Sequence, residues 1–202
     1  MTLSCNRIPL TKLLLLFFLP ENHYVMNFYE LISKRQSERQ YDSRPVEPEK
    51  IMQCIEASRI APSACNAQPW KFIVVDEPEL RKQVADATAG MGMNKFVVEA
   101  PVIVAIVLEK ANASSKIGSV LKGKEYTLMD IGIATTHFCL QATELGLGTC
   151  IIGWFNEKKV RKLLQIPNKK RIPLLLTVGY STAELRNKQR KELNGVYSLN
   201  KY

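Results

Sequence analysis

The chain has 202 residues, 46% of them hydrophobic and 23% charged, with a formal charge of +9. That length suits one sizeable domain and is short for two, and the composition excludes a disordered chain. The positive charge does not make a nucleic-acid arm, because the basic residues are scattered and no cluster is interleaved with aromatics; no nucleic-acid partner is expected.

Residues 1–25 differ from the rest. Lys12 precedes the apolar run Leu13–Leu19, which Pro20 ends. The run is too short to span a bilayer, and no small-residue cleavage site follows it. It reads as sequence upstream of a natural start at Met26 rather than as a targeting segment, so no stable membrane association is expected. Met26–Ile32 begins an amphipathic helix. In Arg35-Gln36-Ser37-Glu38-Arg39, alternate residues can point to one side of an extended segment. Two guanidinium groups flanking a hydroxyl suit a phosphate, although such a run also occurs on plain surfaces.

Val46–Lys50 opens a second helix, with Pro48 and Glu49 suited to its first turn. It runs to about Ile60, where Pro62 breaks it. The loop Ala61–Asn66 turns the chain, and Phe72–Val75 leaves as a buried strand. Taken alone, the loop reads as an ordinary helix-to-strand connection with a packed Trp70. Its other reading is one wall of a planar cofactor site, with Ser63, Asn66 and Gln68 offering polar groups. That reading needs a phosphate-binding half elsewhere.

A helix is expected near Glu79–Ala87 and a short helical piece at Lys95–Glu99. Val102–Leu108 is continuously apolar, a strand buried on both faces. Residues 109–123 read as a surface loop and a candidate lid. The longest helical pattern runs from about Tyr126 to Leu145, with Gly146 as its left-handed cap. A strand over Thr149–Trp154, a basic helix at Glu157–Gln165 capped by Asn156, and a last core strand at Arg171–Tyr180 follow. The tail Ser181–Tyr202 is polar and basic and packs on the body or on a partner subunit. This order describes a layered α+β or α/β protein with helices covering a sheet. No G-x-G-x-x-G or P-loop pattern is present.

The five cysteines form no C-x-x-C pair, and His23 and His137 lie far apart. Neither a metal site nor a disulfide framework is expected, and a reducing cytoplasm is the simplest compartment. Cys54, Cys139 and Cys150 read as small core residues.

Four stretches in fixed order, RQSERQY at 35–41, APSACNAQPWKFIVV at 61–75, LGLGTCIIGW at 145–154 and KQRKEL at 188–193, together resemble the FMN-dependent nitroreductase family in its short bacterial form. The resemblance covers residues 26–202. It implies an α+β three-layer sandwich, with a central, mainly antiparallel sheet covered by helices, working as an intertwined homodimer with FMN at the interface. It implies that Arg35, Gln36, Ser37 and Arg39 hold the phosphate and ribityl end, joined by Lys188 and Arg190. Pro62, Ser63, Ala64 and Asn66, with Gln68 in the same loop, would reach the flavin from the partner subunit. The backbone of Ile151, Ile152 and Gly153 would pass the isoalloxazine ring. Relatives often carry Trp where Ile151 stands and a small polar residue where Cys65 stands; Cys65 is assigned no role. The implied activity is transfer of hydride from NADPH or NADH through the flavin to a nitroaromatic, quinone or similar small acceptor by a ping-pong cycle. No side chain is named as catalytic, since the cofactor carries the chemistry. A flavin-binding or redox-sensing module with little turnover is the alternative.

Overall fold

The computed structural model describes residues 26–109 and 123–202. The expectations for residues 1–25 and for the candidate lid at 110–122 lie outside the described residues.

The first element, α1 (Phe28–Lys34), starts where Asn27 and Glu30 satisfy each other's backbone N–H groups in a capping box. Next come α2 (Pro48–Arg59), β1 (Trp70–Val75), α3 (Pro78–Asp86), β2 (Val102–Leu108), α4 (Tyr126–Glu144), β3 (Gly148–Ile152), α5 (Glu157–Leu163) and β4 (Arg171–Gly179). Lys95–Glu99 is a 3₁₀ turn. Trp154 falls beyond the end of β3, contrary to the longer strand expected, and is 55% exposed.

The sheet is four-stranded with order β1-β2-β4-β3, and every strand pair is antiparallel. Its two faces carry separate cores. Val102, Val104 and Ile106 pack with Phe138 and Ala142 of α4 and Ile51 and Cys54 of α2. Their alternating neighbours Ile103, Ala105 and Val107 pack with Val84 and Ala85 of α3 and Val160 of α5. A strand covered on both sides has no polar face, which is why β2 reads as an unbroken apolar run. The result is helices, sheet and helices in three layers, the α+β sandwich expected from the sequence.

The turn after α4 sets the position of β3. Gly146 lies at φ +76°. Its N–H donates to Thr143 O, and the Leu147 N–H donates to Ala142 O at 2.7 Å. Both bonds satisfy carbonyls at the helix end, and the backbone conformation they need favours glycine. β3 then runs along the sheet margin with one edge unpaired by β4.

Candidate anion and cofactor site

Residues 35–39 are extended beside β3. Ser37 bridges Thr149 in the parallel sense, and the Glu38 N–H donates to Thr149 O at 2.9 Å. The alternation foreseen for this segment is realised. Gln36 and Glu38 are buried, while Arg35, Ser37 and Arg39 face a cavity. Tyr41 anchors the segment, its hydroxyl lying 3.0 Å from Glu38 O and 2.7 Å from Thr177 Oγ1. Gly148 allows the close approach, since a Cβ there would lie 2.5 Å from Glu38 Cγ. Glu38 accepts the Ser181 hydroxyl at 2.7 Å, tying the segment to the start of the tail.

The other wall of this cavity of about 300 Å³ comes from the tail: Arg186, Asn187, Lys188 and Arg190. Gln36 joins the two walls. Its Oε1 accepts the Arg186 backbone N–H at 3.1 Å, and its Nε2 donates to Glu184 O at 3.0 Å. The Arg186 guanidinium also donates to Ser37 O. Arg186 and Asn187 were not among the site residues expected from the sequence. The signal was there: Arg186, Lys188 and Arg190 alternate just as Arg35, Ser37 and Arg39 do.

The cavity concentrates positive charge. Lys188 is pushed below the ordinary lysine range, first by partial desolvation and then by repulsion from Arg35, Arg190 and Arg186; the attraction of Glu38 opposes this. Its ammonium meanwhile donates to Ser33 O at the carboxyl end of α1. Cys150 lies beneath the cavity. Burial pushes its thiol up, while Arg39, Ser37 and Arg186 pull the other way. An anion bearing several acceptor oxygens would relieve the mutual repulsion of these cations.

Some basic residues elsewhere are paired with carboxylates. Glu157 pairs with Arg161 at 2.6 Å and with Arg171 at 3.0 Å, and Lys170 pairs with Glu109.

The strand wall follows from register. Thr149 O turns away from β4 toward Glu38, so two residues on, the backbone groups of Ile151 face the same open edge. The Ile151 side chain is 48% exposed, whereas Ile152 is buried in the core and, one residue out of step, turns its backbone groups toward Leu175 of β4. A Cβ built on Gly153 meets nothing within 4 Å.

The loop after α2 is locally strained. Cys65, Asn66 and Gln68 all have positive φ, at 53°, 51° and 45°, conformations that cost on the order of 1 kcal/mol each for a residue with a side chain. The loop is braced from within. The Gln68 N–H donates to Ser63 Oγ at 3.0 Å, and Gln68 Nε2 donates to Asn66 Oδ1 at 2.9 Å. Asn66 is exposed.

This loop and the cation cavity sit at different levels of α4. The Ala64 N–H donates to Asp130, whereas Arg35 acts on Cys139. Those α4 residues are nine positions apart, roughly 14 Å of helix axis. Arg35, Gln36, Ser37, Arg39, Lys188 and Arg190 thus lie together around one cavity, and the loop carrying Pro62, Ser63, Ala64, Asn66 and Gln68 lies apart from it. Among the described residues no group of three or more His, Cys, Asp or Glu could hold a metal ion, and no helix is long and apolar enough to cross a membrane.

The structure defines a three-layer α+β protein with a cation-lined cavity at its sheet margin, whose donor set suits an anion. Comparison with known proteins makes the assignment narrower. The sequence profile of the Nitroreductase family matches residues 32–92 and 89–180, and the chain belongs to that family. A Streptococcus pyogenes protein with a provisional NAD(P)H nitroreductase name is 30% identical, over 77% of this chain and 90% of its own length. A nitroreductase family protein from Streptococcus pneumoniae superposes with a TM-score of 0.75 at 26% identity, covering 86% of this chain and all of its own. An FMN-dependent nitroreductase from Clostridium difficile superposes with a TM-score of 0.71 at 27% identity, covering 87% of this chain and all of its own.

Proposed function

We propose that this protein is an NAD(P)H-dependent FMN oxidoreductase that reduces a nitroaromatic, a quinone or a similar small acceptor by a ping-pong cycle. The observation that carries this reading is the cavity where Arg35, Arg39, Arg186, Lys188 and Arg190 surround Ser37. A phosphate monoester brings a charge of about −1.5 to −2 and three acceptor oxygens, the complement of that donor set. Family membership, the printed NAD(P)H activity of the Streptococcus pyogenes relative and the printed FMN dependence of the Clostridium difficile protein support the choice of cofactor and donor.

When bound, FMN supplies the redox chemistry, taking a hydride equivalent from NADH or NADPH and passing it on. The chain's residues bind and orient. The guanidinium and ammonium groups neutralise the phosphate, and Ser37 adds a hydroxyl. Gln36 holds the two basic walls together. The open-edge backbone of Ile151, with Gly153 just beyond the strand, offers fixed dipoles to a ring edge. No side-chain acid or nucleophile is required of the chain.

The loop Pro62–Gln68 acts on the cofactor held by a second copy, so the working form is a homodimer. Leu128, Met129 and Ile133 support this. They are 43%, 53% and 38% exposed on one stripe of α4, with Gly132 among them. An apolar stripe on an otherwise buried helix suits a helix of another subunit.

The test is the visible absorption spectrum of the purified protein, recorded anaerobically before and after NADH or NADPH. A flavin spectrum bleached by a nucleotide is the expected result and names the donor. A flavin spectrum that neither nucleotide bleaches makes the protein a binding module. No flavin, even after FMN is supplied, overturns the reading.

A further inference from the structure

Asp130 lies in the second turn of α4 and is 3% exposed. Its neighbours on the inward face, Ile131 and Ala134, are apolar core residues. One carboxylate oxygen, Oδ1, accepts the Ala64 N–H at 3.0 Å. The other, Oδ2, is buried and has no hydrogen-bond partner among the described residues. An apolar side chain would fill this place without the desolvation that a carboxylate suffers there. What the carboxylate adds is an acceptor for the first N–H of the 3₁₀ turn Ala64–Asn66.

That N–H belongs to a strained stretch of the backbone. Within four residues of it stand Cys65, Asn66 and Gln68, all at positive φ. The bonds from Asn66 N to Ser63 O, from Ala67 N to Ala64 O and from Gln68 N to Ser63 Oγ run within the loop. The bond to Asp130 ties it to α4.

We propose that Asp130 is a positioning residue: its buried carboxylate, bound to the Ala64 N–H, holds the loop Pro62–Gln68 in the conformation that presents Ser63 and Asn66 to the flavin of the partner subunit. This rests on the reading of that loop as part of the flavin site. Asp130 itself does not touch the cofactor. It sets the loop's fraction in the competent conformation and hence the apparent affinity for FMN.

The loop carries its own reporter. Cys65 is exposed, whereas Cys54, Cys139 and Cys150 are buried and burial raises the pKa of all three thiols. In a Cys5→Ser background, the fast phase of reaction with dithionitrobenzoate reads Cys65 in the flavin-free protein.

The experiment compares Asp130→Ala, Asp130→Asn, Ala64→Pro and the Asp130→Ala/Ala64→Pro double variant. Each is assayed for thiol reaction rate without flavin, for FMN affinity by fluorescence quenching, and for thermal unfolding. Loss of one hydrogen bond to a buried acceptor predicts about a tenfold faster Cys65 reaction and about tenfold weaker FMN binding in Asp130→Ala. Asparagine keeps the acceptor, so Asp130→Asn restores most of both. Ala64→Pro removes the donor while leaving α4 intact, and reproduces the alanine effect. The double variant is no worse than either single one.

Wild-type thiol kinetics in Ala64→Pro, or additive effects in the double variant, would overturn the proposal. So would an asparagine variant as impaired as alanine. If Asp130→Ala does not fold, Ala64→Pro and Asp130→Asn decide. Because the thiol assay contains no flavin, failure of the FMN reading would leave thiol rates responsive and FMN binding absent. Failure of this proposal leaves the thiol rates unchanged.

Discussion

Gln36 joins two chain segments that lie far apart in sequence, and replacing it should separate FMN from its unphosphorylated analogue. In Gln36→Ala the bonds to the Arg186 N–H at 3.1 Å and to Glu184 O at 3.0 Å disappear. The third contact, from Arg186 Nε at 3.4 Å, is too long to weigh. Two neutral bonds are worth about 0.5–1.5 kcal/mol each net, so docking of the tail weakens by about 1–3 kcal/mol. That is a shift of about 5- to 150-fold in the docked population. The docked tail carries Arg186, Lys188 and Arg190, so the penalty should fall on phosphate binding. Titration of the flavin-free protein with FMN and with riboflavin, followed by fluorescence quenching, measures both affinities. The FMN Kd should rise within that range while the riboflavin Kd moves little. Equal weakening of both ligands, or no change in either, would refute the idea that Gln36 acts by holding the tail's cations in place.

Three further outcomes follow from the geometry. Glu157, 23% exposed, is raised by burial but brought below the ordinary carboxylate range by the Ile172 N–H, Arg161 and Arg171. A depressed folded pKa means stability that is full above the unfolded value and lost as pH falls through the folded one. Glu157→Gln should therefore cost about 1–2 kcal/mol at neutral pH, with the difference closing in acid; urea unfolding across pH checks this, and a pH-independent penalty contradicts it. Gly148→Ala would place a methyl 2.5 Å from Glu38 Cγ and should destabilise by about 1–3 kcal/mol through overpacking, read as a lowered thermal midpoint. Ile133→Glu charges the exposed stripe of α4 and should give a monomer on gel filtration with weakened FMN binding; a flavin-loaded dimer of that variant would place the interface elsewhere.

Much was written in the sequence itself because it depends on local pattern. The unbroken apolar run Val102–Leu108 specified a strand covered on both faces, and Gly146 specified where α4 ends. The alternation of Arg35, Ser37 and Arg39 held because residues two apart in an extended segment share a side. Cys54, Cys139 and Cys150 were recognisable as core by their apolar neighbours. Boundaries that hang on pairing partners moved instead: β3 stops at Ile152, and Trp154 is left exposed. Only the tertiary structure decided that Arg186 joins the cation-lined cavity, since that depends on a buried amide 150 positions away. It also decided that the Gln36 amide binds the backbone of the tail. The role of Asp130 was likewise hidden. In sequence it is one polar residue on a mostly apolar helix, and only the packing of α4 against the loop after α2 brings its carboxylate to the Ala64 N–H. Local periodicity fixes which side of an element a residue occupies, but which distant backbone group meets it there is a property of the assembled layers.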